Sequence, residues 1–205
     1  MSNLEFPHDW RAEVLAKLPL IAPARQFTYP QRVAGEEDTL ARGALLVEVH
    51  PAGGGSFLAT CALGFTDSTM LTGIFACPNP NELCAVAGGY AYIFDTGSPE
   101  RCTHIPLKPV AEVLVLAEHG LIVFAGFHSL LAWGREGLAW QTARLSWEGI
   151  SMSGVRRAED GSAALYGFGW NLPSDKEVEF CVDLKTGAHT GGGFTSPAQA
   201  SARRS

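Results

Sequence analysis

From Gly43 onward the chain alternates short apolar runs with polar breaks. "ALLVEV", "FLATCALGF", "LCAVA", "YAYIF", "AEVLVL", "LIVFA", "ALYGFGW" and "VEFCVDL" are each of strand length, rich in β-branched and aromatic residues, and bounded by Gly, Pro, Asn or Asp. That pattern predicts an almost wholly β region. Upstream the pattern differs. Trp10, Val14, Leu15 and Leu18 recur at helical spacing behind Asp9, whose carboxylate can accept from the free N–H groups of a first turn. A short N-terminal helix is therefore expected, stopped by Pro19. Between it and Arg42, Pro23, Pro30 and the acidic turn "GEED" predict an extended arm along the surface. The end of the chain, "SPAQASARRS", offers nothing to pack and is expected to be disordered. The resulting division is a helix and arm over 1–42, a β-repeat domain over 43–195 and a tail over 196–205.

The β region repeats itself. "NELCAVAGGYAYIFDTGSPERCTHIP" aligns with "HGLIVFAGFHSLLAWGREGLAWQTARL", so that Ala87-Gly88 meets Ala125-Gly126 and the turn at Asp95 to Gly97 meets Trp133 to Arg135. A third copy runs from "DGSAALYGFGW" to "CVDLKTGAHTGG", with Gly167 in the place of Gly126 and Asp183 to Gly187 in the place of the turn. Each copy is preceded by a first strand and turn: "GIFACPNPN", "VAEVLVLAEHG" and "SMSGVRRAEDG". A period of about 40 residues is that of a four-stranded propeller blade. The fold class expected is mainly β, built of propeller-like four-stranded repeats. About three blades plus a leading hairpin, "ALLVEVHPAGGGSFLATCALGF", fall short of the four or more that close a ring. Either a second chain completes the ring, or the strands stack as an open twisted sandwich.

The copies resemble blades of quinoprotein and WD-repeat propellers, without the WD dipeptide. More closely, "GGYAYIFDT", "FAGFHSLLAWGREGLAW" and "VEFCVDLKTG" together resemble a family of uncharacterised bacterial proteins with plant relatives, over roughly residues 80 to 190. The resemblance implies a fold. It implies no activity and no site residues.

Composition narrows the function classes. At 205 residues, 46% hydrophobic and 18% charged, the chain can bury a core without a metal or disulfide staple. A formal net charge of −6 repels a polyphosphate on average, which argues against nucleic acid as partner. The most hydrophobic stretch, Val110 to Trp133, is interrupted by Glu112, Glu118, His119, Gly120 and His128, so no membrane span is expected. Five cysteines, Cys61, Cys77, Cys84, Cys102 and Cys181, form no CxxC pair and leave an odd one over. With no basic-plus-apolar leader in "MSNLEFPHDW", free thiols and a cytoplasmic protein are expected.

Candidate chemistry is sparse. Around Ser129 the outer positions of a nucleophile elbow are Phe127 and Leu131, so the small residues that permit the strained turn are missing. No catalytic residue is assigned, and "FAGFHSLLAWGREGLAW" reads as the second and third strands of a blade turning near Gly134 and Gly137. The six histidines form neither HxH nor HExxH, so no metal site and no cofactor are expected, although His50, His104 and His128 could still converge in space. The glycine run at Pro51 to Ser56 lacks the Lys-Ser/Thr of a phosphate loop and reads as a hairpin.

The remaining lead is aromatic: Trp133, Trp140, Trp147 and Trp170, with Arg135, Arg144 and Glu148. Tryptophan and arginine concentrate at binding hot spots, and tryptophan also stacks one blade upon another. The candidate ligand- or partner-binding residues are His128, Trp133, Arg135, Trp140, Arg144 and Trp170. The expected function is non-catalytic binding of a protein or a small ligand, neither identified by the sequence, with a protein partner or a second copy of the chain as the partners in view. The alternative is a hydrolase or lyase, which would have to bring two or more of His104, His128, Asp95, Glu112 and Asp183 into one pocket.

Overall fold

The computed structural model describes residues 2–21, 23–30, 40–158 and 161–194, and among these the regular structure is almost entirely extended. In chain order the strands are β1 (Ser2–Asn3), β2 (Trp10–Leu15), β3 (Arg25–Tyr29), β4 (Ala44–Pro51), β5 (Phe57–Ala62), β6 (Gly73–Ala76), β7 (Glu82–Ala87), β8 (Tyr90–Asp95) and β9 (Cys102–His104). They continue with β10 (Glu112–Leu116), β11 (Leu121–Ala125), β12 (Leu130–Gly134), β13 (Gly137–Gln141), β14 (Ile150–Arg157), β15 (Ala163–Asn171), β16 (Lys176–Asp183) and β17 (His189–Gly191). Among the described residues no helix is long and apolar enough to cross a membrane.

Four sheets result. The first has the order β2-β4-β5-β3, the second β1-β6-β7-β8-β9, the third β10-β11-β12-β13 and the fourth β14-β15-β16-β17. From β6 onward each strand of a sheet pairs antiparallel with its chain neighbour, so local turns suffice to build a blade. The aligned turns of the repeat are equivalent: all three join the last two strands of a sheet, after β8, β12 and β16. Gly88 and Gly126 follow the last residues of β7 and β11, and Gly167 lies within β15. Gly88 turns with φ +54°, and a Cβ there would collide with the Phe65 carbonyl oxygen.

The expected N-terminal helix is not formed. Residues 10–15 are instead β2, paired antiparallel with β4 from Trp10↔Pro51 to Leu15↔Leu46. Helical spacing placed Trp10, Val14 and Leu18 on one face, yet only Trp10 is buried; Val14 and Leu18 are exposed. Six consecutive pairs to a partner strand outweigh a capped two-turn helix, which would be marginal in isolation. The extended arm is corrected too. Arg25–Tyr29 is β3, parallel to β5, and Tyr29 is fully buried. Its hydroxyl donates to the Pro99 carbonyl at 2.6 Å, and its ring stacks on Phe94 at 4.8 Å, which ties the first sheet to the second. The leading hairpin β4–β5 thus gains a strand on each side, and three blades plus a hairpin become four sheets. "GEED" and the expected disordered tail lie outside the described residues.

Burial orders the sheets. One core cluster joins Val47 and Phe57 of the first sheet, Leu83 to Ala87 of the second, and Ile122, Phe124, Leu131 and Trp133 of the third. The second cluster takes the opposite face of the third sheet, Leu121, Val123, Leu130, Ala132 and Trp140, together with Leu165, Phe180 and Val182 of the fourth. The two central strands of the third sheet, β11 and β12, are therefore buried on both faces, and this is why "LIVFA" and "LLAWG" read as unbroken apolar runs. Strands β4 and β16 alternate between covered and exposed positions, as strands with one wet face must. The sheets thus stack in the order first, second, third, fourth, and neither cluster spans the first and the fourth.

Candidate functional site

The two central tryptophans join sheets. Trp133, on β12, is 8% exposed and its indole Nε1–H donates to Glu82 Oε2 of the second sheet at 2.9 Å. Trp140, on β13, is 6% exposed and its Nε1–H donates to the Leu184 carbonyl of the fourth sheet at 2.7 Å. Each buries a large ring between blades and satisfies its polar edge there. Arg135 is exposed in the β12–β13 turn, apart from both. The quoted hairpin is made of the third and fourth strands of its sheet, not the second and third, with Gly134 paired to Gly137. His128 and Ser129 lie before β12 in the turn where Gly126 N–H donates to the Ser129 carbonyl at 3.0 Å.

His128, Arg144 and Trp170 come together around the start of the fourth sheet. Arg144 lies between Trp147 and Phe194, with its guanidinium carbon 5.0 and 4.8 Å from the ring centroids. Its Nε donates to the Ser146 carbonyl at 2.9 Å and its Nη2 to the Trp147 carbonyl at 2.8 Å, with His128 Nδ1 at 3.3 Å from the same Nη2. The buried Ser146 hydroxyl accepts from Trp170 N–H at 2.7 Å. An arginine held by two carbonyls and two rings acts as a structural clamp on this corner.

Each of the five groups that an enzyme would need has a local partner of its own. Asp95 Oδ1 accepts from the backbone N–H groups of Gly97 and Ser98, and Asp183 Oδ1 accepts from the backbone N–H and the side-chain hydroxyl of Thr186. Glu112 Oε2 accepts from Met152 N–H at 3.2 Å, and His104 stacks on Tyr92 at 4.7 Å. His128 is with Arg144, as above. Among the described residues no three His, Cys, Asp or Glu side chains converge to hold a metal ion.

The outer face of the fourth sheet carries what the tryptophans of the third do not: exposed aromatics. Strand β15 reads Tyr166-Gly167-Phe168-Gly169-Trp170, and period-two alternation sends the aromatics to one face and the glycines to the other. The glycine side is forced. A Cβ at Gly167 would run into the Ser151 carbonyl oxygen and the Phe180 ring, and one at Gly169 would sit 2.6 Å from the Leu145 carbonyl oxygen. On the other side Phe168 is 37% exposed and Trp170 half-buried. Register places Phe168 opposite Glu179 and Trp170 opposite Glu177 on β16. Phe168 and Trp170 line a groove of about 380 Å³ with Glu148, Gly149, Ile150, Ser151 and Glu177. The face combines flat apolar surface with carboxylates and can hold a ligand by stacking and by charge. Sequence reasoning found Trp170 and named Glu148 with it, but missed Phe168 and Glu177 as their companions. The signal was the Y-G-F-G-W alternation, which marks a strand with one aromatic and one closely packed face.

A wider cleft of about 620 Å³ opens at the first sheet, lined by His8, Asp9, Trp10, Arg11, His50, Pro51 and Ala52. Its one guanidinium and one carboxylate are balanced. Trp10, its one large aromatic, is 4% exposed and offers little stacking surface.

No protein-family model matches the chain, and no curated protein matches it. Among solved structures, the crystal structure of the N-terminal domain of Nup159 is similar at a TM-score of 0.34 and 12% identity, covering 98% of this chain and 55% of that one. The chain therefore spans about half the length of that structure. Nothing about a site or ligand transfers at this level of likeness.

Proposed function

We propose that the protein is a non-catalytic interaction module whose contact surface is the outer face of the fourth sheet. One observation carries the reading. The fourth sheet, at the end of the stack, leaves Phe168 and Trp170 beside a groove, where the third sheet has Trp133 and Trp140 covered. The local partners taken up by the candidate acids and bases support binding over hydrolysis or lysis. Five unpaired thiols, three of them buried, support a place in the reducing cytoplasm.

The test is an arrayed library of extended peptides probed with the wild-type protein and with the double variant Phe168→Ser, Trp170→Ala, after circular dichroism has shown that the variant keeps its strand signal. The reading expects a set of peptides that bind the first and not the second. An array on which both proteins behave alike refutes it.

A further inference from the structure

The groove comes with a worked example of its ligand beside it. Arg156, on β14, lies over the Tyr166 ring at 4.0 Å from guanidinium carbon to centroid, and its Nη2 is 2.8 Å from Glu179 Oε1. Tyr166, Phe168 and Trp170 are successive residues of one strand face, and Glu179 and Glu177 are successive residues of the same face on β16. Shifted by two residues, the diagonal Tyr166–Glu179 pair that holds Arg156 recurs as Phe168 and Glu177, with Trp170 directly opposite Glu177 and Glu148 also lining the groove. At the repeat no cation of the chain is present: among the described residues neither Glu177 nor Glu148 has an ion-pair partner, and no Lys or Arg lines the groove.

We propose that this groove receives an arginine or lysine side chain presented by an extended segment of a partner protein, a proposal that rests on the interaction-module reading above. Charge selects the occupant. A carboxylate or phosphate group would face Glu148 and Glu177 with nothing to offset them, whereas a guanidinium can stack on Trp170 and donate to both carboxylates. The net charge of −6 draws cationic segments toward the surface before contact. Because same-face residues of an extended peptide recur at the spacing of the β15 ladder, a segment with basic residues at alternate positions matches Phe168 and Trp170 together.

The experiment measures fluorescence anisotropy with a labelled peptide carrying arginine at alternate positions, and with the same peptide carrying neutral citrulline instead. Binding is expected for the arginine peptide only, and it should weaken as salt is raised. Glu177→Gln and Glu148→Gln, both on exposed side chains whose loss leaves the fold intact, should each weaken it about two- to fivefold. Equal affinity for the citrulline peptide, or affinity unchanged in the Glu148→Gln, Glu177→Gln double variant, overturns the proposal. Peptides that need Phe168 and Trp170 but are acidic or apolar also overturn it, while leaving the interaction module standing. A peptide array on which nothing distinguishes the wild type from the aromatic double variant removes the module reading itself.

Discussion

Replacing Trp140 by Ala tests whether the third and fourth sheets are held together as described. The side chain is 6% exposed, packs in the second core cluster and covers Gly187, where a Cβ would sit 2.8 Å from the Trp140 side chain. Truncating a buried tryptophan to alanine costs about 3 to 5 kcal/mol, through lost transfer energy and the cavity left behind. The bond to Leu184 adds about 1 kcal/mol, because that carbonyl would lose its donor in a buried position. A total of about 4 to 6 kcal/mol is a large part of the roughly 5 to 15 kcal/mol that a domain has to lose. Trp140→Phe separates the two contributions: it keeps most of the apolar contact, gives up the hydrogen bond, and should cost about 1 to 2 kcal/mol. Urea midpoints of the three proteins, with their slopes, supply the numbers. Native-state hydrogen exchange then asks where the loss falls. Since Trp140 belongs to the cluster that holds the fourth sheet, amides of β14 to β17 should open before those of β4 to β8. A loss under about 1 kcal/mol for Trp140→Ala would refute the inter-sheet role, and so would a Phe variant as damaged as the Ala variant.

Other consequences can be checked on the same protein. Burial, more than the opposing Trp133 hydrogen bond, holds the Glu82 carboxyl above its ordinary range, with Asp95 adding to the rise. A group whose folded pKa is raised contributes stability at pH below its unfolded value and loses it as pH climbs through the folded one. Urea midpoints of the wild type should therefore fall more steeply than those of Glu82→Gln as pH rises upward from the ordinary carboxylate range, and parallel profiles would contradict the burial. Thiol titration at mildly alkaline pH should find five reactive cysteines in denaturant. In the native state no more than Cys102 and Cys181 should react, with Cys102 slow because burial pushes its pKa up to about 12. Rapid native reaction of a third thiol would show that Cys61, Cys77 or Cys84 is not covered. Gly167→Ala should lower stability by about 1 to 3 kcal/mol, since the added methyl meets the Ser151 carbonyl and the Phe180 ring; an unchanged urea midpoint would mean that β15 does not approach them so closely.

The repeat from β6 to β17 was legible in the sequence because everything it needs is local. Neighbouring strands pair through turns, so the runs "LIVFA" and "LLAWG" and the turn residues between them determine both strand identity and order. Even the stacking order leaves a trace, since β11 and β12, covered on both faces, read as unbroken apolar runs, while β4 and β16 of the end sheets alternate. The N-terminal region was misread because its partners are distant. Trp10 to Leu15 scores as a helix when only its own spacing is considered, and Arg25 to Tyr29 scores as a loop; β4 and β5, far along the chain, turn both into strands by offering hydrogen-bonding edges. The site divides in the same way. Sequence could say that Trp133, Trp140 and Trp170 are large and apolar with a polar edge. Which of them a neighbouring sheet covers depends on where each sheet falls in the stack, and only the tertiary structure decides that: the third sheet has a neighbour on each side to cover Trp133 and Trp140, while the fourth has one and leaves Phe168 and Trp170 to the outside.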